Sequence, residues 1–91
     1  MEEPWYVYLV ECSDGALYTG ITNDLDRRVA AHNAGVASKY TRARRPVKLV
    51  YHESCDSRQQ ALIRECAIKL LSRNQKTELV RGDGTGKRKN S

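Results

Sequence analysis

Residues 6–20, YVYLVECSDGALYTG, are the stretch on which the fold turns. Trp5 to Cys12 is rich in aromatic and β-branched residues and reads as one strand; Leu17 to Ile21 reads as a second, with the turn signal SDGA between them. Side chains alternate across a strand, so the length of the turn decides which face each residue takes. A two-residue turn at Asp14-Gly15 pairs Tyr8 with Ile21 and Tyr18 with Glu11, and puts the two tyrosines on opposite faces. A three-residue loop, Ser13 to Gly15, sets Tyr8 against Gly20 and Tyr18 against Val10, and puts both on one face. The longer loop is favoured, because it is a type I turn closed by a residue in the left-handed region, and Gly15 holds that place. Gly20 then leaves a gap opposite Tyr8 through which a phosphate is expected to approach.

Outward from the hairpin, Thr22 or Asn23 caps a helix from about Asp24 to Ala34, with Asp24 and Asp26 in its first turn and Gly35 as its stop. Leu25, Arg28, Val29 and His32 fall at i, i+3, i+4 and i+7, one stripe of that helix. Leu25 and Val29 must pack on the sheet, so Arg28 and His32 are held beside it; Arg27 lies about 100° further round. VASKYTRARRP is a basic loop without a period. VKLVYH, Val47 to His52, is a third strand after Pro46. CDSRQQALIRECAIKLLSRN reads as a helix capped by Asp56 or Ser57, and QKTELV as a short last helix. Glu65 has Ala61, Leu62 and Ile68 as helical neighbours, where a carboxylate is costly without a partner or a cation; Lys69 at i+4 is the simple partner. Residues 1–80 are thus expected to form one α+β domain of order β-β-α-β-α, a small, largely antiparallel three-stranded sheet flanked by helices. Residues 81–91, RGDGTGKRKNS, are expected to be a disordered basic tail.

The chain has 91 residues, enough for one small domain with a modest core. Sixteen Lys and Arg against 11 Asp and Glu give a formal charge of +5, which suits a polyanionic partner and equally a solvated surface. Cys12, Cys55 and Cys66 are odd in number and widely spaced, which argues against a disulfide framework or a zinc knuckle and for reduced thiols in the cytoplasm. MEEPW lacks the apolar core of a signal peptide, and no apolar run is long enough to span a membrane. Each candidate residue has an ordinary explanation alone: strand tyrosines pack, a helix arginine snorkels, a histidine on a half-buried stripe is structural, and Glu65–Lys69 is a surface pair. The case for a site rests on the set converging on one face of the sheet.

That set resembles the GIY-YIG nuclease domain. YVY at Tyr6–Tyr8 and YTG at Tyr18–Gly20 match its two half-motifs, with Tyr6 in place of the first glycine. DLDRRVAAHN resembles the helix that carries an arginine and, four residues on, a histidine; IRECAIK resembles the helix with the metal-binding glutamate. The likeness covers about residues 5–73 and is nearest to the short stand-alone branch, related to the catalytic domain of structure-specific junction nucleases. It implies hydrolysis of DNA phosphodiesters, structure-selective and in repair or recombination, with RNA as a second substrate, one Mg²⁺ or Mn²⁺ and no small-molecule cofactor. It implies Glu65 as metal ligand, Arg28 on the scissile phosphate, Tyr8 or Tyr18 activating water, and His32 orienting that water or sharing the base role. Arg27, Lys39, Arg42, Arg44 and Arg45 are then expected to hold the backbone without reading sequence. A protein partner supplying specificity belongs to the same expectation. The competing readings are a nucleic-acid-binding module without catalysis, and a subunit whose partner completes the site.

Overall fold

The computed structural model describes residues 4–82. It contains β1 (Trp5–Glu11), β2 (Leu17–Thr22), α1 (Leu25–Asn33), α2 (Lys39–Arg42), β3 (Lys48–Cys55), α3 (Arg58–Lys69) and α4 (Arg73–Arg81). The three strands form one antiparallel sheet of order β2-β1-β3. The fold is the expected α+β domain with two helices added to the expected order.

The hairpin register is the one set by the longer loop: Tyr8 opposes Gly20 and Val10 opposes Tyr18. Gly15 has φ of +86°, the left-handed conformation that the third loop position requires. Cys12 N–H donates to the Ala16 carbonyl at 2.8 Å, closing the loop.

Because β1 is central, its alternation divides the core in two. Val7 and Leu9 face Ala61 and Ile68 of α3, with Ile21, Tyr51 and Leu79 around them. Tyr8, Val10 and Cys12 face the other way, packed with Val47, Tyr18, Leu25 and Val29. α1 therefore covers the face bearing both tyrosines, and α3 covers its reverse. On β3 the pairing shifts between Leu9 and Val10: Leu9 opposes Tyr51, Val10 opposes Leu49, and Val50 is the extra residue of a bulge. The bulge sends Leu49 to the tyrosine face and Tyr51 to the α3 face.

Three expectations are corrected. The basic loop contains a helical turn, α2, begun by Ser38, whose hydroxyl accepts from the Thr41 N–H at 3.0 Å. The boundary between the last two helices moves: α3 stops at Lys69 and not at Asn74, and the expected short last helix begins at Arg73, where Ser72 with Gln75 forms a capping box that starts α4. α4 continues to Arg81, one residue past the expected domain edge, with Gly82 as its left-handed cap; the rest of the expected tail, 83–91, lies outside the described residues. Among the described residues no helix is long and apolar enough to cross a membrane.

A half-buried network ties α3 to β3. Arg64 donates from Nε and Nη2 to the two Glu53 oxygens at 2.8 and 2.9 Å, and the Tyr51 hydroxyl donates to the same carboxylate. Burial and the adjacent carboxylate push the Tyr51 hydroxyl up to about 12, so it stays a donor.

Candidate functional site

β1, β2 and α1 bring four of the five expected catalytic residues together. Tyr8, 2 % exposed, reaches across the sheet toward α1, and its hydroxyl lies 2.8 Å from His32 Nε2. His32, on the inner stripe of α1, is 1 % exposed. Its other nitrogen, Nδ1, lies 2.8 Å from Thr41 Oγ1, which in turn meets the Ser38 hydroxyl at 3.0 Å. The Tyr18 ring stands edge-on to His32 with centroids 5.2 Å apart. Arg28, one turn before His32, is half-buried, and its charge acts on both Tyr8 and His32.

The electrostatics of the pair follow from burial. Tyr8 is held well above the ordinary phenol range, first by burial and then by Tyr18, against the pull of Arg28. His32 is held below the ordinary imidazole range, by burial and then by the Arg28 charge. At neutral pH the pair is a neutral phenol bonded to a neutral imidazole.

Gly20 has another role than the one expected of it. A Cβ at position 20 would stand 2.5 Å from the Tyr8 oxygen and 2.7 Å from its ring, so the space opposite Tyr8 is filled by the Tyr8 side chain. Gly20 is buried, and it admits the tyrosine across the strand pair, not a phosphate.

Glu65 arrives from another direction. It belongs to α3, on the reverse face, so the set does not converge on one face of the sheet as expected. Its side chain is 18 % exposed and pairs with Lys69 Nζ at 3.3 Å, the simple partner. Its charge nonetheless reaches Tyr8 and raises that hydroxyl further. Among the described residues no group of three or more His, Cys, Asp or Glu side chains gathers as a metal cage. A single carboxylate suffices for a hard cation that keeps its waters and takes further oxygens from a substrate.

The five basic residues expected to hold a backbone divide in two. Arg27, Lys39 and Arg42 are exposed. Arg44 is committed to the fold: Nε pairs with Asp14 at 3.0 Å, Nη1 donates to the Tyr40 carbonyl at 3.0 Å, and the guanidinium lies 4.0 Å from the Tyr40 ring centroid. Arg45 is exposed as well, and donates to the carbonyls of Arg42 and Asn33 at 2.9 and 3.4 Å.

Two residues of the site went unread in the sequence. Thr41, fully buried, is the third member of the Tyr8–His32 chain; Ser38 with Thr41 three residues on was a readable cap signal. Tyr40 stacks on Tyr18, centroids 6.0 Å apart and planes at 28°.

A family model described as the GIY-YIG catalytic domain matches residues 4–78. A UPF0213 protein of Desulfotalea psychrophila is 51 % identical over 83 residues, 90 % of this chain and 76 % of its own. A UPF0213 protein of Halobacterium salinarum is 58 % identical over 74 residues, covering 81 % and 96 %. The solution NMR structure of the UPF0213 protein BH0048 from Bacillus halodurans superimposes with a TM-score of 0.57 at 44 % identity, covering 89 % of this chain and 86 % of that one.

Proposed function

Because this chain belongs to the GIY-YIG catalytic-domain family, a nuclease fold, we propose that it is a metal-dependent endonuclease that hydrolyses phosphodiester bonds in DNA. The observation that carries this reading is the buried chain Tyr8–His32–Thr41, lying within reach of the Arg28 and Glu65 charges.

The chain explains how Tyr8 serves as a base although burial opposes a free phenolate. With the His32 proton on Nδ1 and directed to Thr41 Oγ1, whose own hydroxyl turns to Ser38, the Nε2 lone pair faces the Tyr8 O–H. The Tyr8 oxygen takes a proton from the attacking water as its own passes to Nε2, so no free phenolate forms. Tyr18 holds the far side of the imidazole. Arg28 presents a planar cation to the phosphate and opposes the charge that develops there. Glu65 would hold a single Mg²⁺ or Mn²⁺, which supplies charge neutralisation at the scissile phosphate. Arg27, Lys39 and Arg42 carry the sequence-independent contacts to the backbone.

The test is a Mg²⁺-dependent cleavage screen of the purified chain over single-stranded, duplex, flap and branched DNA and RNA, with Glu65→Gln beside it. Cleavage by the variant should fall by orders of magnitude, while its binding to DNA in EDTA stays equal or tightens slightly as one repulsive charge is removed. Arg28→Ala should weaken both. Full cleavage by a folded Glu65→Gln chain removes Glu65 from the mechanism, and salt-sensitive binding without cleavage of any substrate puts the binding module ahead.

A further inference from the structure

Both nitrogens of the His32 ring are held by hydroxyls, Tyr8 on Nε2 and Thr41 on Nδ1, each at 2.8 Å. A carboxylate on the far nitrogen would stabilise an imidazolium once it formed. A hydroxyl carries no charge and cannot do that. It accepts a hydrogen bond and donates one through the same atom, so it can pass a proton on. Burial, and then the Arg28 charge, disfavour an imidazolium that stays where it forms.

What lies beyond Thr41 decides where that proton can go. Thr41 is fully buried, and its Oγ1 meets Ser38 Oγ at 3.0 Å, with the Ser38 carbonyl further off at 3.5 Å. The Thr41 N–H donates to the same serine oxygen at 3.0 Å. With the Thr41 hydroxyl donating as well, Ser38 Oγ accepts twice, and its own proton is left to point away from the site. Ser38 caps α2 and is half-buried, so it is where the chain of groups meets solvent. Phenol, imidazole, threonine and serine form one continuous file from the site to the surface.

We infer that Thr41 and Ser38 are a proton relay, which carries the proton released in hydrolysis from His32 to solvent at the start of α2. This rests on the nuclease reading and deepens it. As the water oxygen bonds to phosphorus and the bond to the leaving oxygen breaks, a water proton goes to the Tyr8 oxygen and the Tyr8 proton to Nε2; the leaving oxygen takes a proton from solvent. The Nδ1 proton moves to Thr41 Oγ1, the Thr41 proton to Ser38 Oγ, and the Ser38 proton to bulk water. His32 ends neutral, protonated on Nε2. After product leaves, Tyr8 gives the water-derived proton to solvent and takes back the one on Nε2, and the relay runs in reverse. Two protons have left and one has returned, which leaves the single proton taken from the water. Thr41 and Ser38 act through His32 and touch no reacting atom; they are positioning residues.

The experiment compares the full chain with Ser38→Asn and Ser38→Thr. Asparagine is as good a helix cap as serine, and its carbonyl oxygen still accepts from Thr41, but that oxygen has no proton to pass on. Threonine keeps the hydroxyl. Single-turnover cleavage by Ser38→Asn should fall about 10²-fold, the low end for a positioned proton-transfer group, while its DNA binding in EDTA stays at the wild-type value. Ser38→Thr should cleave at close to the wild-type rate. If Ser38 serves only as a cap, the asparagine is harmless, so full cleavage by a folded Ser38→Asn chain overturns the relay and leaves the nuclease reading intact. Ser38→Thr as slow as Ser38→Asn overturns it also. The wild-type chain gives a second measurement that needs neither a variant nor cleavage: ¹⁵N NMR of the His32 ring near neutral pH should show Nδ1 protonated and Nε2 bare. The opposite tautomer overturns the relay. A wild-type chain that cleaves no substrate overturns both readings.

Discussion

The two faces of the sheet are built from alternate residues of one strand, yet they solve different problems. Val7 and Leu9 meet α3 through hydrocarbon, in a cluster completed by Ala61 and Ile68. Tyr8, between them, meets α1 through a hydrogen bond to a buried imidazole. Burial stabilises the first face in proportion to apolar area. On the second it costs free energy wherever a polar atom lacks a partner, and the chain Tyr8–His32–Thr41 supplies partners to groups that would otherwise be stranded. Both faces bury hydrocarbon, and the second also holds prearranged proton donors and acceptors. The charged residue between them, Glu65, sits on the apolar face's helix and acts on the polar one.

Substitutions test that division. Tyr8→Phe keeps the ring over Gly20 and removes only the hydroxyl. Cleavage should drop about 10²- to 10⁴-fold, the usual scale for losing a positioned general base, and stability should fall by only about 1–3 kcal/mol, since His32 Nε2 is left buried and unpaired. Single-turnover rates and urea denaturation on one preparation measure both, and wild-type cleavage by the variant would reduce the tyrosine face to packing.

Leu9→Ala should show the reverse pattern. Truncating a fully buried leucine costs about 2–5 kcal/mol through lost transfer energy and the cavity left behind. The fraction that remains folded should cleave at the wild-type rate. A variant that is stable and inactive would mean that the two faces are coupled more tightly than the alternation implies.

The smallest effect is a dependence on pH. The folded chain holds His32 below its ordinary range, and the unfolded chain takes up that proton near pH 6.5. Between those two values the unfolded state binds more protons, so stability is fully present above about pH 6.5 and declines as pH falls toward the folded value. One proton limits the slope to about 1.4 kcal/mol per pH unit. His32→Gln should flatten the urea midpoint between pH 7.5 and 5.5 relative to wild type; an unchanged slope would show that the imidazole is not protected by burial.

How much of this was legible depends on the range of the interaction. The hairpin register was readable because one local feature, glycine at the third loop position, decides it. The stripe Leu25–Arg28–Val29–His32 was readable because helical period alone places those residues. α2 was hidden, since a four-residue helix is too short to show a period, and Thr41 and Tyr40 were hidden with it. The last helix was legible, but its start at Ser72 was masked by apolar residues running on to Leu71, which carried the reading of α3 past its end at Lys69. The role of Gly20 was misjudged because the sequence shows which residue lies opposite, not how far the Tyr8 ring extends over it. The Glu53–Arg64 clamp joins residues 11 apart on a strand and a helix, and no local pattern announces it.

The bulge at Val50 bears on how the chain can change length over descent. Deleting one residue inside β2, Thr19 for example, with the loop kept, would slide Tyr8 from Gly20 to Ile21, so that every residue beyond the deletion changes sides at once. Val50 is different, because it is the surplus residue of the β3 ladder: with it gone, Tyr51 still opposes Leu9 and Leu49 still opposes Val10. The cost is one partly buried valine and a straighter strand. Insertions and deletions are therefore unequal along this sheet, tolerable at one point in β3 and ruinous within the strand that aligns Gly20 with Tyr8.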